Sequence, residues 1–581
     1  MTSATSFITG SSNAGQLNTS QRDAALDTLR AQTLDVVVIG GGVVGAGAAV
    51  DAASRGLTIG IIEANDWASG TSSRSSKLVH GGIRYLEQLD FKLVREAFVE
   101  RGLLLRTIAP HLVHPVPFLF PLTKPGLERL YVGAGMLLYD IFSYTGGRRP
   151  GVPLRQHISR TTMLEKTPSL RPRAFRGGLR YFDAQVDDAR LVVTLIRTAV
   201  DAGAAAATHV VAVDITLGTI NTVTARDEET GQQFEIHARA VLNATGVWTE
   251  ESQAMVGGPC GLGVTMSKGV DIVVDRERLR FEFGMILRAG ESVLLVIAWG
   301  QSWLIGTTDT PWDFDKTNPI ATSTDIQYLL DQINRVLGEP LTRADVRAVW
   351  SGLRPLVRGK AHSTAKLSRE HVVDVPCEGI AVIAGGKLTT YRVVARDAVN
   401  AALEGRVHAA ASCTRDLPLI GASDLGEIKA GLPDLLHRYQ LSEATGGRLL
   451  RRYGDRLAEV LEPSRDDPSL AGSMPDSGGA IGAEVRYAVT HEGASHLEDV
   501  LERRLRITME SSDFGLAAAP VAAGIMAGLL GWGADHTTDE VSRYNAFVDL
   551  QRSAMTLPDD ASASAAMTAE DARLRWQGNR S

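Results

Sequence analysis

Asp35-Val-Val-Val-Ile-Gly-Gly-Gly-Val-Val-Gly45 is the stretch that decides the fold of this chain. Val36 to Ile39 read as a buried strand of a parallel sheet, and they run directly into Gly40-x-Gly42-x-x-Gly45. A helix of small residues follows (Ala46, Ala48, Ala49, Ala52, Ala53), then Gly56 and a second apolar strand, Leu57 to Ile62, ending in Glu63. This is the order of a dinucleotide-binding βαβ unit. Gly40 permits the tight turn, Gly42 lets backbone approach a pyrophosphate, and Gly45 lets helix and strand pack closely. The helix N-terminus offers free N–H groups and the positive end of its dipole to the phosphates. Glu63 is placed to accept hydrogen bonds from ribose hydroxyls. An acid there, rather than an arginine, favours FAD or NAD over NADP.

Working outward, 581 residues exceed what one core organises, so two or three domains are expected. With 44% hydrophobic and 22% charged residues the composition is that of an ordinary globular protein, and a net charge of −7 gives no sign of nucleic-acid binding. Cys260, Cys377 and Cys413 are the three cysteines, without C-x-x-C spacing. That excludes a disulfide scaffold and a cysteine-ligated metal site, and fits a reducing cytoplasm; no metal is expected. Residues 1–34 lack the basic and apolar regions of a signal peptide and read as a Ser/Thr-rich tail with a short helix around Gln21 to Ala31. No apolar run reaches the length of a membrane span.

After Glu63 the loop Asp66 to Tyr85 crowds hydroxyls, glycines and cations together without a hydrophobic period, as a functional loop does. Ser72, Ser73, Ser75 and Ser76 offer groups to phosphates, and Lys77, His80 and Arg84 add cationic or titratable heads. Phe91 to Ile108 predicts a core-packed helix ended by Pro110. Leu127 to Tyr144 is aromatic and apolar, and nine Lys/Arg face one acid, Glu165, between Arg148 and Arg180. These residues fit equally a patch lying on anionic lipid and a core helix followed by a solvated basic loop. Phe182 to Leu191 predicts a turn feeding a helix capped by Asp187 or Asp188. Strands are expected at Val210 to Ile215 and at Ala238 to Leu242, the latter delivering Asn243-Ala-Thr-Gly-Val-Trp248. From about 263 to 350 the pattern turns to short alternating strands, an antiparallel cap. Gly385-Gly-Lys-Leu-Thr-Thr-Tyr-Arg392 then opens another helix at an anion-friendly turn. The fold class is thus α/β plus α. A Rossmann-like domain binding FAD or NAD, with an antiparallel cap, is expected over 35–410, a helical domain over 411–555, and a disordered tail over 556–581.

Taken in order, Gly40-Gly-Gly42, Thr71 to Glu87, Val186-Asp-Asp-Ala-Arg190, Asn243-Ala-Thr-Gly246, Gly306-Thr-Thr-Asp309, Ser351-Gly-Leu-Arg-Pro355 and Gly385 to Arg392 resemble the FAD-dependent, quinone-linked glycerol-3-phosphate dehydrogenases. The resemblance covers about residues 20 to 555; Ala298, where the family pattern has proline, and the long N-terminal tail depart from it. It implies oxidation of sn-glycerol 3-phosphate to dihydroxyacetone phosphate. FAD would take the hydride, and a membrane quinone would take the electrons at the inner face of the cell membrane. It tips the segment around 127–180 towards lipid contact. The partners it implies are the substrate, the quinone, the membrane surface and a second copy of the chain as a homodimer, with no nucleic acid. A glycerol-3-phosphate oxidase using oxygen and a non-catalytic FAD-binding redox sensor are the alternatives.

For the site, the resemblance places FAD on Gly40, Gly42, Gly45, Glu63, Thr71, Ser72, Ser76, Lys77, Leu78, Val210, Ala244, Thr245, Gly246, Trp248, Gly386, Lys387, Leu388 and Thr389. Arg84 and Arg354 go to the substrate phosphate or oxygens, because a planar guanidinium suits that geometry. Tyr85, Thr308 and Arg369 are further substrate contacts, and Lys387 sits beside the flavin. His80 is the candidate general base, its reference pKa suiting proton transfer near neutrality; the alternative is that it orients the flavin.

Overall fold

Strand Thr33–Ile39 lies at the centre of an eight-stranded sheet, its Val36, Val37 and Val38 fully buried. The computed structural model describes residues 15–82, 91–123, 133, 152–256, 262–289, 292–358 and 371–568. In this first sheet the central strand pairs parallel with Ile59–Ile62 on one side and Gln233–Asn243 on the other. Ala205–Ala207 and Ile380–Gly385 extend it, also parallel. Continuous apolar runs suit these strands because helices cover both faces. Helix Val43–Ser54 packs against Asp188–Asp201 and Tyr391–Leu403 in one core. Its small residues allow the close approach: a Cβ on Gly47 would stand 2.9 Å from the Tyr391 ring. On the other face helix Thr19–Ala31, capped by the Asn18 side chain, sets Leu29 over Gly60.

The second sheet has ten strands and is antiparallel except where Gly284–Ala289 runs parallel to His114–Pro121. Its longest pairing joins Val264–Asp275 to Val346–Val357 and sets Ser267 opposite Arg354 and Asp271 opposite Trp350. The sheet is not confined to residues 263–350. Leu78–Val79, His114–Pro121, Gln156–Ile158 and Gly178–Gln185 belong to it as well. Phe182 is therefore in a strand, not a turn, and the turn comes at Val186. Asp187 then caps helix Asp188–Asp201 by accepting from the Arg190 amide, as expected. The prolines of His114-Pro-Val-Pro117 disguise their strand, since proline lacks the N–H that a ladder uses.

Helices Leu425–Tyr439, Glu443–Tyr453, Gly482–Glu492, Ala519–Leu530 and Ala534–Ala554 build the C-terminal part. Between them Asp499–Arg504 winds as a π-turn. The expectation of disorder from residue 556 fails over 556–568. Ala563 and Met567 are buried against Ile320, and Asp560 pairs with the buried Lys268. Small and apolar residues spaced four apart outweigh the polar composition there. The stretch 127–144 lies outside the described residues apart from Gly133, as do Arg84, Tyr85 and Arg369.

Charged side chains from distant segments meet in the interior. Asp66 accepts from Arg503 at 2.6 Å and from Arg504 at 2.6 and 2.7 Å, all three being buried. Asp188 pairs with Lys77 and with Arg506, and Arg506 also reaches Asp187 at 3.0 Å. Arg190 pairs with Glu492. Removing one partner of such a set leaves a buried charge unmatched. Asp66→Ala is expected to destabilise the protein by about 3–5 kcal/mol, read from the urea midpoint. Arg465→Ala, at the exposed pair with Glu462, is expected to shift it by less than about 1 kcal/mol. Equal shifts for the two would remove the special role given to Asp66.

Candidate active site

Two cavities open at the carboxyl ends of the parallel strands, where ligands of such sheets bind. One, of about 430 Å³, lies over the first glycine turn; the other, of about 530 Å³, lies under the second sheet. They share Thr71, Ser75, Pro355 and the turn 385–388.

The first cavity is shaped by missing side chains. Gly40 has φ +111°, and a Cβ on Gly45 would stand 1.9 Å from the Gly40 oxygen, so the turn closes only with both glycines. A Cβ on Gly42 would meet only Ser72 Oγ, at 3.1 Å, and one on Gly246 would meet nothing within 4 Å. Bare backbone thus floors the cavity at both places, as a pyrophosphate requires. The Glu63 carboxylate accepts from the amides of Gly41 (2.6 Å) and Asn65 (2.9 Å), bracing the turn from the next strand. Burial pushes its pKa up, against these two hydrogen bonds. Ser72 Oγ accepts from the Val43 amide at the N-terminus of the helix. Val210, Ala244, Thr245, Trp248, Gly386, Lys387 and Leu388 complete the lining. This arrangement fits FAD: glycine backbone for the diphosphate, an acid at the strand end for the ribose, and a continuous passage into the second cavity.

The second cavity gathers the remaining residues expected from the sequence. Ser76, Leu78, His80, Thr308, Arg354, Lys387 and Thr389 all line it. Thr389 Oγ1 accepts from the His80 amide at 3.0 Å, tying the loop to the second glycine turn. Arg354 lies across Gly269, where a Cβ would come within 2.3 Å of Nη2. It donates to Thr307 Oγ1 (2.9 Å) and to the Thr308 carbonyl (3.2 Å). The Thr308 hydroxyl accepts from the Val270 amide at 3.0 Å, so it ties its own connecting segment to strand Val264–Asp275.

One expectation is corrected. Lys77 lines neither cavity; its ammonium is fully buried, donating to Asp188 and to the Ser73 and Ser75 carbonyls. A lysine left in a phosphate-seeking loop would keep its head in water, whereas here the Asp188 carboxylate and two carbonyls draw it inside. Burial lowers its pKa, and Asp188 acts against that.

Sequence reasoning passed over Asp271. Only 3% exposed, it faces the second cavity, and its Oδ1 has no hydrogen-bond partner among the described residues. Burial pushes its carboxyl up to about 6, with Arg354 and Lys77 drawing it down and Asp188 adding to the rise. The signal was available: an acid between Val270 and Ile272 within a buried strand is out of place unless it has a task. Arg74 and Arg288 also reach this cavity.

Comparison with known proteins agrees with this geometry. The family described as "FAD dependent oxidoreductase" matches residues 35–392, and the "C-terminal domain of alpha-glycerophosphate oxidase" matches 412–537. The glycerol-3-phosphate dehydrogenase of Mycobacterium leprae is 47% identical over 561 residues, covering 95% of this chain and 94% of that protein. Glycerol-3-phosphate dehydrogenase 2 of Mycobacterium tuberculosis is 46% identical over 560 residues, with the same coverage of 95% and 94%. Among solved structures, the FAD complex of the Bacillus halodurans glycerol-3-phosphate dehydrogenase superposes with a TM-score of 0.72 at 26% identity, covering 91% of this chain and 97% of that one. A glycine-built nucleotide cavity continuous with an arginine-lined one, carried on a sequence this similar, places the chain in the family of FAD-dependent glycerol-3-phosphate dehydrogenases.

Proposed function

We propose that this protein oxidises the secondary alcohol of sn-glycerol 3-phosphate to the ketone of dihydroxyacetone phosphate and passes the electrons to a membrane quinone. The observation that carries the reading is the near-complete match, at 46–47% identity, to dehydrogenases named for that substrate. FAD, when bound, supplies the acceptor for the hydride leaving the carbinol carbon. The chain supplies the rest. Arg354 is already held in its plane by Thr307 and Thr308, so it meets a phosphate or hydroxyl oxygen with little further ordering. Lys387 stands where the two cavities join. By family resemblance Arg84, Arg369 and Tyr85 add to the same contacts. The hydroxyl proton has two acceptors along the cavity wall, His80 and Asp271, of which Asp271 titrates near the working range.

Membrane attachment belongs to the same proposal. The aromatic segment 127–144 and the nine cations between 148 and 180 suit an anionic lipid surface at the cytoplasmic face. No helix among the described residues is long and apolar enough to cross a membrane, so contact would be peripheral. A homodimer completes the expected assembly.

The direct test is optical. Purified protein should be yellow and should bleach anaerobically with sn-glycerol 3-phosphate, yielding dihydroxyacetone phosphate; a flavin left oxidised contradicts the assignment. Reoxidation by quinone without stoichiometric peroxide supports the dehydrogenase, and rapid peroxide release in air turns it into an oxidase.

Arg354→Ala should raise KM for glycerol 3-phosphate by about 10- to 100-fold, the loss of a charge-assisted contact. Free glycerol should be turned over as poorly as before; an equal loss on both substrates removes the phosphate role.

Asp271→Asn should lower kcat/KM by about 100-fold or more and erase an inflection near pH 6, whereas His80→Asn should leave that inflection in place. The reverse pattern gives the proton to His80. Stability should move the other way. The folded carboxyl titrates near 6, above the unfolded value of about 3.9. Wild-type stability therefore falls as pH rises between the two values, and Asn gains over Asp above pH 6 but not below about 4.

A further inference from the structure

We propose that His209, Glu229 and His496 form a site for a divalent transition cation of the zinc type, joining the nucleotide-binding domain to the C-terminal helices. The three come from separate places. His209 links strands Ala205–Ala207 and Val210–Thr216, and Glu229 sits in the turn between Asn221–Asp227 and Gln233–Asn243. His496 follows helix Gly482–Glu492. One donor atom from each lies within 4.8 Å of the others. Glu229 Oε1 stands 3.1 Å from His496 Nε2 and 3.8 Å from His209 Nδ1. Donors held about 2.0–2.2 Å from a tetrahedral zinc are about 3.3–3.6 Å from one another, so these separations bracket the required spacing.

The outer ring nitrogens make the stronger argument. His209 Nε2 lies 3.3 Å from Ser495 Oγ, and His496 Nδ1 lies 3.1 Å from Glu540 Oε1. Donation from these outer N–H groups leaves the inner nitrogen of each ring with its lone pair towards Glu229. A metal-ligating histidine is oriented in this way. The backbone is fixed too. The His209 amide donates to the Asn65 carbonyl at 3.1 Å, and the Ser495 and His496 amides both donate to Asp499 Oδ2. A cavity of about 300 Å³ touches both histidines and leaves room for a water as a further ligand. Two histidines and one carboxylate are the donor set of borderline cations, not of calcium or magnesium. The nearest competing cation is Arg543, 3.5 Å from His496 Nδ1 and paired with Glu540. It sits on the outer side, away from Glu229. In the absence of metal, a protonated His496 bridging Glu229 and Glu540 would hold the same contacts as a plain ion pair, and experiment separates the two.

FAD-loaded protein, stripped with a chelator, is dialysed against Zn²⁺ and the metal bound per chain is measured. Wild type should retain about one equivalent, and added chelator should lower its melting temperature. His209→Asn, which tolerates the left-handed backbone at this position (φ 55°), and Glu229→Gln should each bind zinc at least about tenfold more weakly and lose the chelator effect. Wild type taking up no zinc at tenfold excess overturns the proposal. So does wild-type affinity persisting in either variant, which would assign the metal to other surface groups.

Discussion

The pairing of Asp188 with Lys77 and Arg506 is the constraint on which the site depends. Lys77 and Asp188 are fully excluded from solvent, and Arg506 nearly so. Each ion is costly to bury alone, and the cost is met only while all three keep their places. Lys77 belongs to the loop that runs from the nucleotide strand to His80. Asp188 opens the helix behind that loop, and Arg506 comes from the far end of the chain. Asp188 also accepts from the Ser75 amide and hydroxyl. A glycine- and serine-rich loop has little packing of its own. Here the interior charges fix its path, and Ser75, Ser76 and Leu78 reach the larger cavity as a result.

Charge is then distributed unevenly around the two cavities. The nucleotide side is braced by hydrogen bonds to Glu63 and Ser72, which act on backbone amides. The substrate side presents Arg354 beside a carboxyl, Asp271, that burial raises to about 6, so it loses its proton only as the pH approaches neutrality. The same carboxyl is destabilising once ionised, and such strain is tolerated at sites that use it.

Much of the nucleotide half is legible in the sequence. Gly40, Gly42, Gly45 and Glu63 carry a local pattern whose spacing specifies their roles. Local pattern reaches less far elsewhere. Strands His114–Pro121 and Gly178–Gln185 pair with each other across a long separation, and their prolines and charged residues hide them. Lys77 reads as a phosphate ligand because nothing nearby in sequence announces Arg506 or Asp188 as its neighbours. The burial of Ala563 and Met567 depends on Ile320, which no local window includes. Asp271 is the instructive miss, since a charge inside an apolar strand was visible and went unweighed.

The seam of buried ions has a consequence for how the protein comes into being. Asp66 and Asp188 leave the ribosome long before their guanidinium partners at 503, 504 and 506. A chain ending before that π-turn leaves Asp66 without either guanidinium, and Asp188 with Lys77 as its one cationic partner among the described residues. Cutting the chain between the flavin half and the helices that follow it would strip both acids of those guanidinium groups, so the two parts share one interior rather than meeting at a surface.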